Sequence, residues 1–370
     1  MDEREKVTKE KSRPAGRSAR RFSYGDAMET IFSEKHRLRD AKTELFGGQL
    51  VKPFERPSRA EYILERVKEV GLGPVSAPQE FGLDPVLAVH DADYLDFLET
   101  AWTSWQAEGF EGEAITTVWP ARRMSERIPR HIEGRLGYYA LACETAISKG
   151  TWEAARAAAD VALTGAEQLR KGARSVFSLC RPPGHHAAID MFGGYCFINN
   201  AAVAAQYLSD HGMNRVAVLD VDFHHGNGTQ DIFYGRDDVL FLSLHGDPMD
   251  AFPHFLGHAD ETGKGAGEGF NVNYPLPPGT SFQVWRSALE KALTRIDTYS
   301  PDALVVSLGV DTFETDPISF FKLKSADFAT YGADIAQLAC PTLFVMEGGY
   351  DIAEIGVNAV NVLQGFESGG

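Results

Sequence analysis

Cysteine is scarce in this chain and stands in no recurring pattern: Cys143, Cys180, Cys196 and Cys340 are the only four in 370 residues, with no CxxC spacing. That excludes a disulfide scaffold and a cysteine-rich zinc module, and the apolar surroundings read as reduced, buried thiols. No apolar run approaches membrane-spanning length, and the first residues lack the apolar core of a secretory signal, so a cytoplasmic protein with no membrane partner is expected. Internal repeats are absent. Basic residues are outnumbered, 36 Lys and Arg against 52 Asp and Glu, for a net charge of −16. Residues 1–21 hold eight basic and four acidic side chains, which leaves −20 on the rest. An acidic body disfavours nucleic acid and favours a small cationic substrate.

What is present is a chain with 44% hydrophobic residues, enough for a sizeable core. Residues 1–21, rich in charge and nearly free of apolar side chains, are expected to be a disordered basic tail, and residues 22–370 one domain. Apolar runs predict strands at Thr30–Phe32, Ser175–Leu179, Val216–Asp220, Val239–Leu244, Ala303–Leu308 and Leu343–Met346. Helical spacing predicts helices at Arg59–Val70, Ala140–Ile147, Glu153–Lys171, Asn200–Ser209, Gln283–Thr298 and Ala326–Leu338. The alternation argues for an α/β fold: a mostly parallel central sheet flanked by helices in a single domain. Between Trp102 and Glu133, aromatic residues mix with Gly, Pro and charges, which reads as a long ordered excursion.

Polar, glycine-containing segments follow the apolar strands, where open α/β sheets place their sites. The run from Asp220 to Gln230 puts Asp220, Asp222 and His224 at alternate positions, with Gly226 and Gly228 beyond them. Alternate side chains of a strand share a face, so Asp220, Asp222 and His224 are expected to point the same way. Asp311 follows another strand, and with Asp222 and His224 completes a three-ligand N/O set suited to a catalytic zinc with an open position. His185 and His186 supply tandem imidazoles for proton transfer. Tyr350 can donate to an oxyanion, and Asp220 can hold one of the histidines.

These residues lie in Arg181-Pro-Pro-Gly-His-His-Ala, Gly193-Gly-Tyr-Cys-Phe-Ile-Asn-Asn, Asp220 to Gln230, Ser307-Leu-Gly-Val-Asp-Thr-Phe-Glu-Thr-Asp-Pro and Met346-Glu-Gly-Gly-Tyr. With them the chain resembles the zinc-dependent deacetylases of the arginase/deacetylase superfamily from about Thr30 to Gly365. The stretch from Phe252 to Gly267 is similar to the acetylpolyamine amidohydrolase branch. The resemblance implies hydrolysis of N-acetylated polyamines and short diamines, with zinc on Asp222, His224 and Asp311, and His185, His186 and Tyr350 catalytic. It implies potassium near Asp220, Asp222, His224, Ser243 and Leu244. It also implies a homodimer in which the 102–133 insertion covers the partner's site. Glu133 and Glu144 match acidic substrate-binding positions, and Tyr195 and Phe252 match channel walls. Asn227 stands where some histone deacetylases have an Asp, so His186 is expected to be the neutral base and His185, on Asp220, the cationic partner.

Other readings share parts of this pattern. A deacetylase of small acetyl-lysine peptides would use every one of these catalytic residues. An arginase-like dimanganese hydrolase would need further Asp and His ligands, and Tyr350 and the tandem histidines argue against it. A non-enzymatic scaffold would have lost a catalytic residue, and none is missing.

Overall fold

The structure, a computed structural model, describes residues 27–369. The expected tail of residues 1–21 lies outside the described residues. The strands are β1 (Glu29–Ile31), β2 (Glu44–Phe46), β3 (Gln49–Val51), β4 (Val75–Ser76), β5 (Ser175–Ser178), β6 (Val216–Asp220), β7 (Val239–Gly246), β8 (Asn271–Leu276), β9 (Ala303–Leu308) and β10 (Thr342–Met346). The helices are α1 (Ser58–Val70), α2 (Asp84–Leu87), α3 (Ala92–Ala107), α4 (Ile132–Tyr139), α5 (Thr151–Arg170), α6 (Asn200–Asp210), α7 (Asn227–Phe233), α8 (Phe282–Tyr299), α9 (Ser325–Ala336) and α10 (Ile355–Gly369).

Eight strands form one sheet in the order β4-β1-β5-β10-β9-β6-β7-β8, and β2 pairs with β3 in a separate antiparallel hairpin. Every pairing in the large sheet is parallel. Parallel strands covered on both faces need apolar side chains at successive positions, which is why β5, β6, β9 and β10 read as unbroken apolar or small-residue runs. Alternate residues go to opposite faces. Val176, Val218, Val305 and Val345 join a core with α3, α4, α5 and α6. Phe177, Leu219, Val306 and Phe344 join a second core with α1, α8, α9 and α10. Each fully buried side chain of this size contributes roughly 1.5–3 kcal/mol. Stability therefore resides in the three layers, and the loops beyond the strand ends can hold polar groups that stabilise nothing by burial.

Chain order and sheet order diverge at the centre. After β5 the chain crosses by α6 to β6, then β7 and β8, and returns to insert β9 and β10 between β6 and β5. The four strands with polar segments at their carboxyl ends, β5, β10, β9 and β6, are consecutive neighbours. That is the switch-point geometry at which such sheets hold their sites.

Two expectations need correction. Ala140–Ile147 is not a helix. Its backbone is bonded elsewhere: Leu141 N donates to Phe192 O, and Ile147 pairs with Ala114, so helical hydrogen bonds are not made. The excursion is also shorter than 102–133, because Trp102 and Trp105 belong to α3 and Glu133 to the first turn of α4. The stretch between these helices is pinned by indole donors, Trp105 Nε1 to Gly112 O at 2.7 Å and Trp119 Nε1 to Ala140 O at 2.9 Å.

Candidate active site

β6 ends at Asp220, so Asp222 and His224 stand on a loop rather than on one strand face as expected. The loop is folded on its own carboxylates. Asp220 Oδ1 accepts from Asp222 N at 3.1 Å, and Asp222 Oδ1 accepts from His224 N at 2.9 Å. Neighbouring strand ends close the arrangement: Asp222 Oδ2 accepts from Gly348 N at 2.8 Å, and Asp311 Oδ1 from Phe223 N at 2.7 Å. Gly309 and Gly348 are needed for space, because a Cβ at either would stand 2.0 Å and 2.5 Å from Asp222 Oδ2. Gly226 and Gly228 are needed for space as well, their Cβ positions falling 2.2 Å from Asp220 Oδ2 and from Ala187 O.

The ligand atoms of Asp222, His224 and Asp311 lie within 4.8 Å of one another, all three residues buried. His224 Nδ1 is 2.9 Å from Asp311 Oδ2 and 3.3 Å from Asp222 Oδ1. Burial and the Asp222 charge push Asp311 up to about 8. Burial opposes a charge on His224 too, but its carboxylate neighbours outweigh it and raise the imidazole to about 10. Two buried carboxylates around one imidazole require positive charge between them, and a divalent cation supplies it with a fitting N/O donor set.

The tandem histidines follow β5 and differ in their partners. His185 Nδ1 is 2.9 Å from Asp220 Oδ2, and although burial disfavours its charge, Asp220 and Asp222 raise it to about 10. His186 Nδ1 is 2.6 Å from Asn227 Oδ1, and burial together with the charges of His185 and His224 holds it well below the usual imidazole value. Glu347, just after β10, accepts from the amides of Gly184 and His185 at 2.6 and 3.1 Å and so ties the histidine turn to the loop carrying Tyr350.

A cavity of about 310 Å³ opens over these groups, lined by His186, His224, Tyr350, Tyr195, Phe252 and Glu144 among others. Phe252 meets the His186 ring edge to face at 5.1 Å, and Tyr195 lies 5.6 Å from Tyr350. Tyr350 is buried, which keeps its phenol protonated well above the ordinary range, and the Arg59 guanidinium lies 4.7 Å over its ring. Gly194 makes room for the His186 ring: it has φ +54°, and a Cβ there would be 2.1 Å from His186 Cδ2. Ser243 is the register partner of Asp220 across β6 and β7, and Leu244 is buried beside it in the strand.

Glu144 reaches the cavity from the irregular segment, its Oε1 accepting from Gly194 N at 2.7 Å. Glu133 does not line this cavity. It is exposed on α4 with its carboxylate 3.6 Å from His131. Sequence reasoning missed Glu44, which the β2 hairpin brings into the cavity wall. It also missed Glu55, a buried carboxylate beside Arg39, Arg59 and Arg181 at 3.8, 3.1 and 2.8 Å. Glu44 before Leu-Phe-Gly-Gly and Glu55 before Arg-Pro carry no local signal of these fates.

A parallel sheet whose four central strand ends bring together an Asp/His/Asp set, two histidines in unequal environments and a buried tyrosine defines a class of α/β hydrolytic domain. The chain belongs to the histone deacetylase family: the model of the histone deacetylase domain matches residues 53–366. It is 63% identical over 338 residues to an acetylpolyamine amidohydrolase of Mycoplana ramosa, covering 91% of this chain and 99% of that one. To acetylpolyamine amidohydrolase 2 of Pseudomonas aeruginosa it is 56% identical over 340 residues, covering 92% and 99%. Among solved structures, the acetylpolyamine aminohydrolase from Burkholderia pseudomallei matches with a TM-score of 0.89 at 40% identity, covering 92% of this chain and 99% of that one.

Proposed function

We propose that this chain is a zinc-dependent amidohydrolase that converts N-acetylated polyamines and short acetylated diamines to the free amine and acetate. The observation that carries the reading is the inequality of the histidines, His185 on a carboxylate and His186 on an amide, with His186 lining one cavity with Tyr350. The names of relatives 56–63% identical over most of the chain support the substrate class.

Asp222, His224 and Asp311 would hold a zinc ion, which when bound would supply Lewis-acid polarisation of the acetyl carbonyl and acidification of the attacking water. His186, with Nδ1 donating to Asn227, presents a neutral Nε2 that accepts the water proton. Tyr350 donates its phenolic hydrogen to the oxyanion as the water oxygen bonds to the carbonyl carbon. His185 stays cationic on Asp220 and steadies the developing negative charge. A histidine then returns a proton to the nitrogen as the C–N bond breaks.

Potassium is proposed beside the centre, at Asp220, Asp222, His224, Ser243 and Leu244. A homodimer in the cytoplasm is proposed as well, with no nucleic-acid partner. In support of dimerisation, Val118, Met124 and Ile128 stand exposed between α3 and α4. Glu133, exposed on α4, would then serve substrate only across such an interface, and Glu144 from within its own cavity.

The test is zinc-loaded enzyme assayed side by side on acetylputrescine, acetylcadaverine, acetylspermidine and an acetyl-lysine peptide, with Tyr350→Phe as control. Preference for the small amines, lost in the control, supports the reading. Preference for the peptide moves the chain to the lysine deacetylases.

A further inference from the structure

We infer that Asp316 is a positioning residue for the reaction: its carboxylate fixes the backbone of Tyr350, and with it the place of that phenol in the cavity. The inference rests on the deacetylase reading, which makes Tyr350 the oxyanion donor, and deepens it.

Tyr350 follows Gly348 and Gly349, the residue type with least conformational restraint of its own, and Gly349 takes φ +127°. Local sequence therefore leaves the direction of the tyrosine open. Tyr350 is buried, so its backbone N–H must find an acceptor within the protein. Asp316 is that acceptor. Its Oδ2 accepts from Tyr350 N at 2.7 Å and from Asp351 N at 3.3 Å. One residue earlier, Thr315 Oγ1 donates to Asp351 Oδ2 at 2.5 Å, a second strut between the same two segments.

The ordinary use of an aspartate at this place is smaller. Asp316 precedes Pro317, which has no N–H, and its Oδ1 accepts from Ile318 N at 3.1 Å, an Asx turn closed within its own loop. That turn needs one oxygen. The other reaches a residue 34 positions away. Tyr350 and Ile318 both line the cavity, so a single carboxylate holds two parts of its wall to each other. Asp316 is itself 6% exposed. Burial raises its pKa to about 6, opposed chiefly by the amides of Tyr350 and Ile318. Above that pH it is ionised, the acceptor that all three bonds use.

The experiment is a double-mutant cycle on acetylcadaverine hydrolysis: wild type, Asp316→Ala, Tyr350→Phe and the double variant, with zinc content measured for each. A misplacement of about 1 Å costs about 10²-fold, so Asp316→Ala should lower kcat about 10- to 100-fold with KM nearly unchanged. With the hydroxyl already gone, the same substitution should cost less than about threefold, because two changes that act through one group do not add. Asp316→Asn keeps one oxygen for the amides and should lose about three- to tenfold, with the same non-additivity. It carries the cycle if the alanine variant does not fold. Equal factors in the two backgrounds, or an unchanged kcat in the variant that carries the cycle, would overturn the inference. So would loss of zinc in step with activity, which would make Asp316 a support of the Asp311 loop. Tyr350→Phe as active as wild type would instead refute the oxyanion role in the deacetylase reading, and the inference with it.

Discussion

His186 and Asn227 are joined ring nitrogen to amide oxygen at 2.6 Å, while one residue earlier His185 meets a carboxylate at 2.9 Å. The neutral amide orients the imidazole without adding charge, as the base role proposed for His186 requires.

Asn227→Asp puts a negative charge against His186 and raises its pKa. A base that must be neutral then works only at higher pH. The acidic limb of the kcat/KM profile is expected to move up by about one pH unit. His186→Ala should lower kcat about 10²- to 10⁴-fold. If His186→Ala kept most of the activity while His185→Ala abolished it, the assigned roles would be reversed.

Tyr350→Phe removes one hydroxyl from a buried ring that Arg59 continues to cover. Loss of a single oxyanion donor is expected to lower kcat about 10²- to 10³-fold, with KM and zinc content little changed. A parallel loss of zinc would show that the tyrosine supports the metal site and not the oxyanion.

Asp222→Ala and Asp311→Ala each remove one of three proposed ligands, and should abolish stoichiometric zinc as measured by atomic emission. Chelation of the wild type should lower Tm and zinc should restore it, because a ligand that binds the folded state alone stabilises that state. A Tm indifferent to both treatments would count against the site.

His90, between α2 and α3, sets an acid limit on the fold. It is buried, and its Nε2 accepts from Asn199 N at 2.9 Å while Nδ1 faces Ala188 O at 2.8 Å, which fixes a neutral ring. Burial holds it down to about 4 from 6.5, so between these values the unfolded chain binds the extra proton and the folded chain does not. Its contribution is whole above pH 6.5 and is lost as the pH falls toward 4, at about 1.4 kcal/mol per unit. His36 and His245 are likewise held at about 4 by burial and add to the slope. Denaturant melts across this range should show stability falling with acid, and His90→Gln should flatten the fall.

The sequence by itself determined the layers and which polar residues stand at the strand ends, because both are written locally. Unbroken apolar runs such as Val216–Leu219 suit only a strand covered on both faces, and the polar residues begin where the run stops. Asp222, His224, Asp311, the tandem histidines and Tyr350 were legible because each adjoins such a strand end. Local pattern failed where the backbone's partners are distant in sequence. Ala140–Ile147 looks helical, yet its hydrogen bonds go to Phe192 and Ala114. Only the tertiary structure decided that Glu144 enters the cavity while Glu133 does not, and that Glu44 is buried in its wall. A carboxylate's meaning depends on burial and counter-ions, and neither exists until remote segments pack.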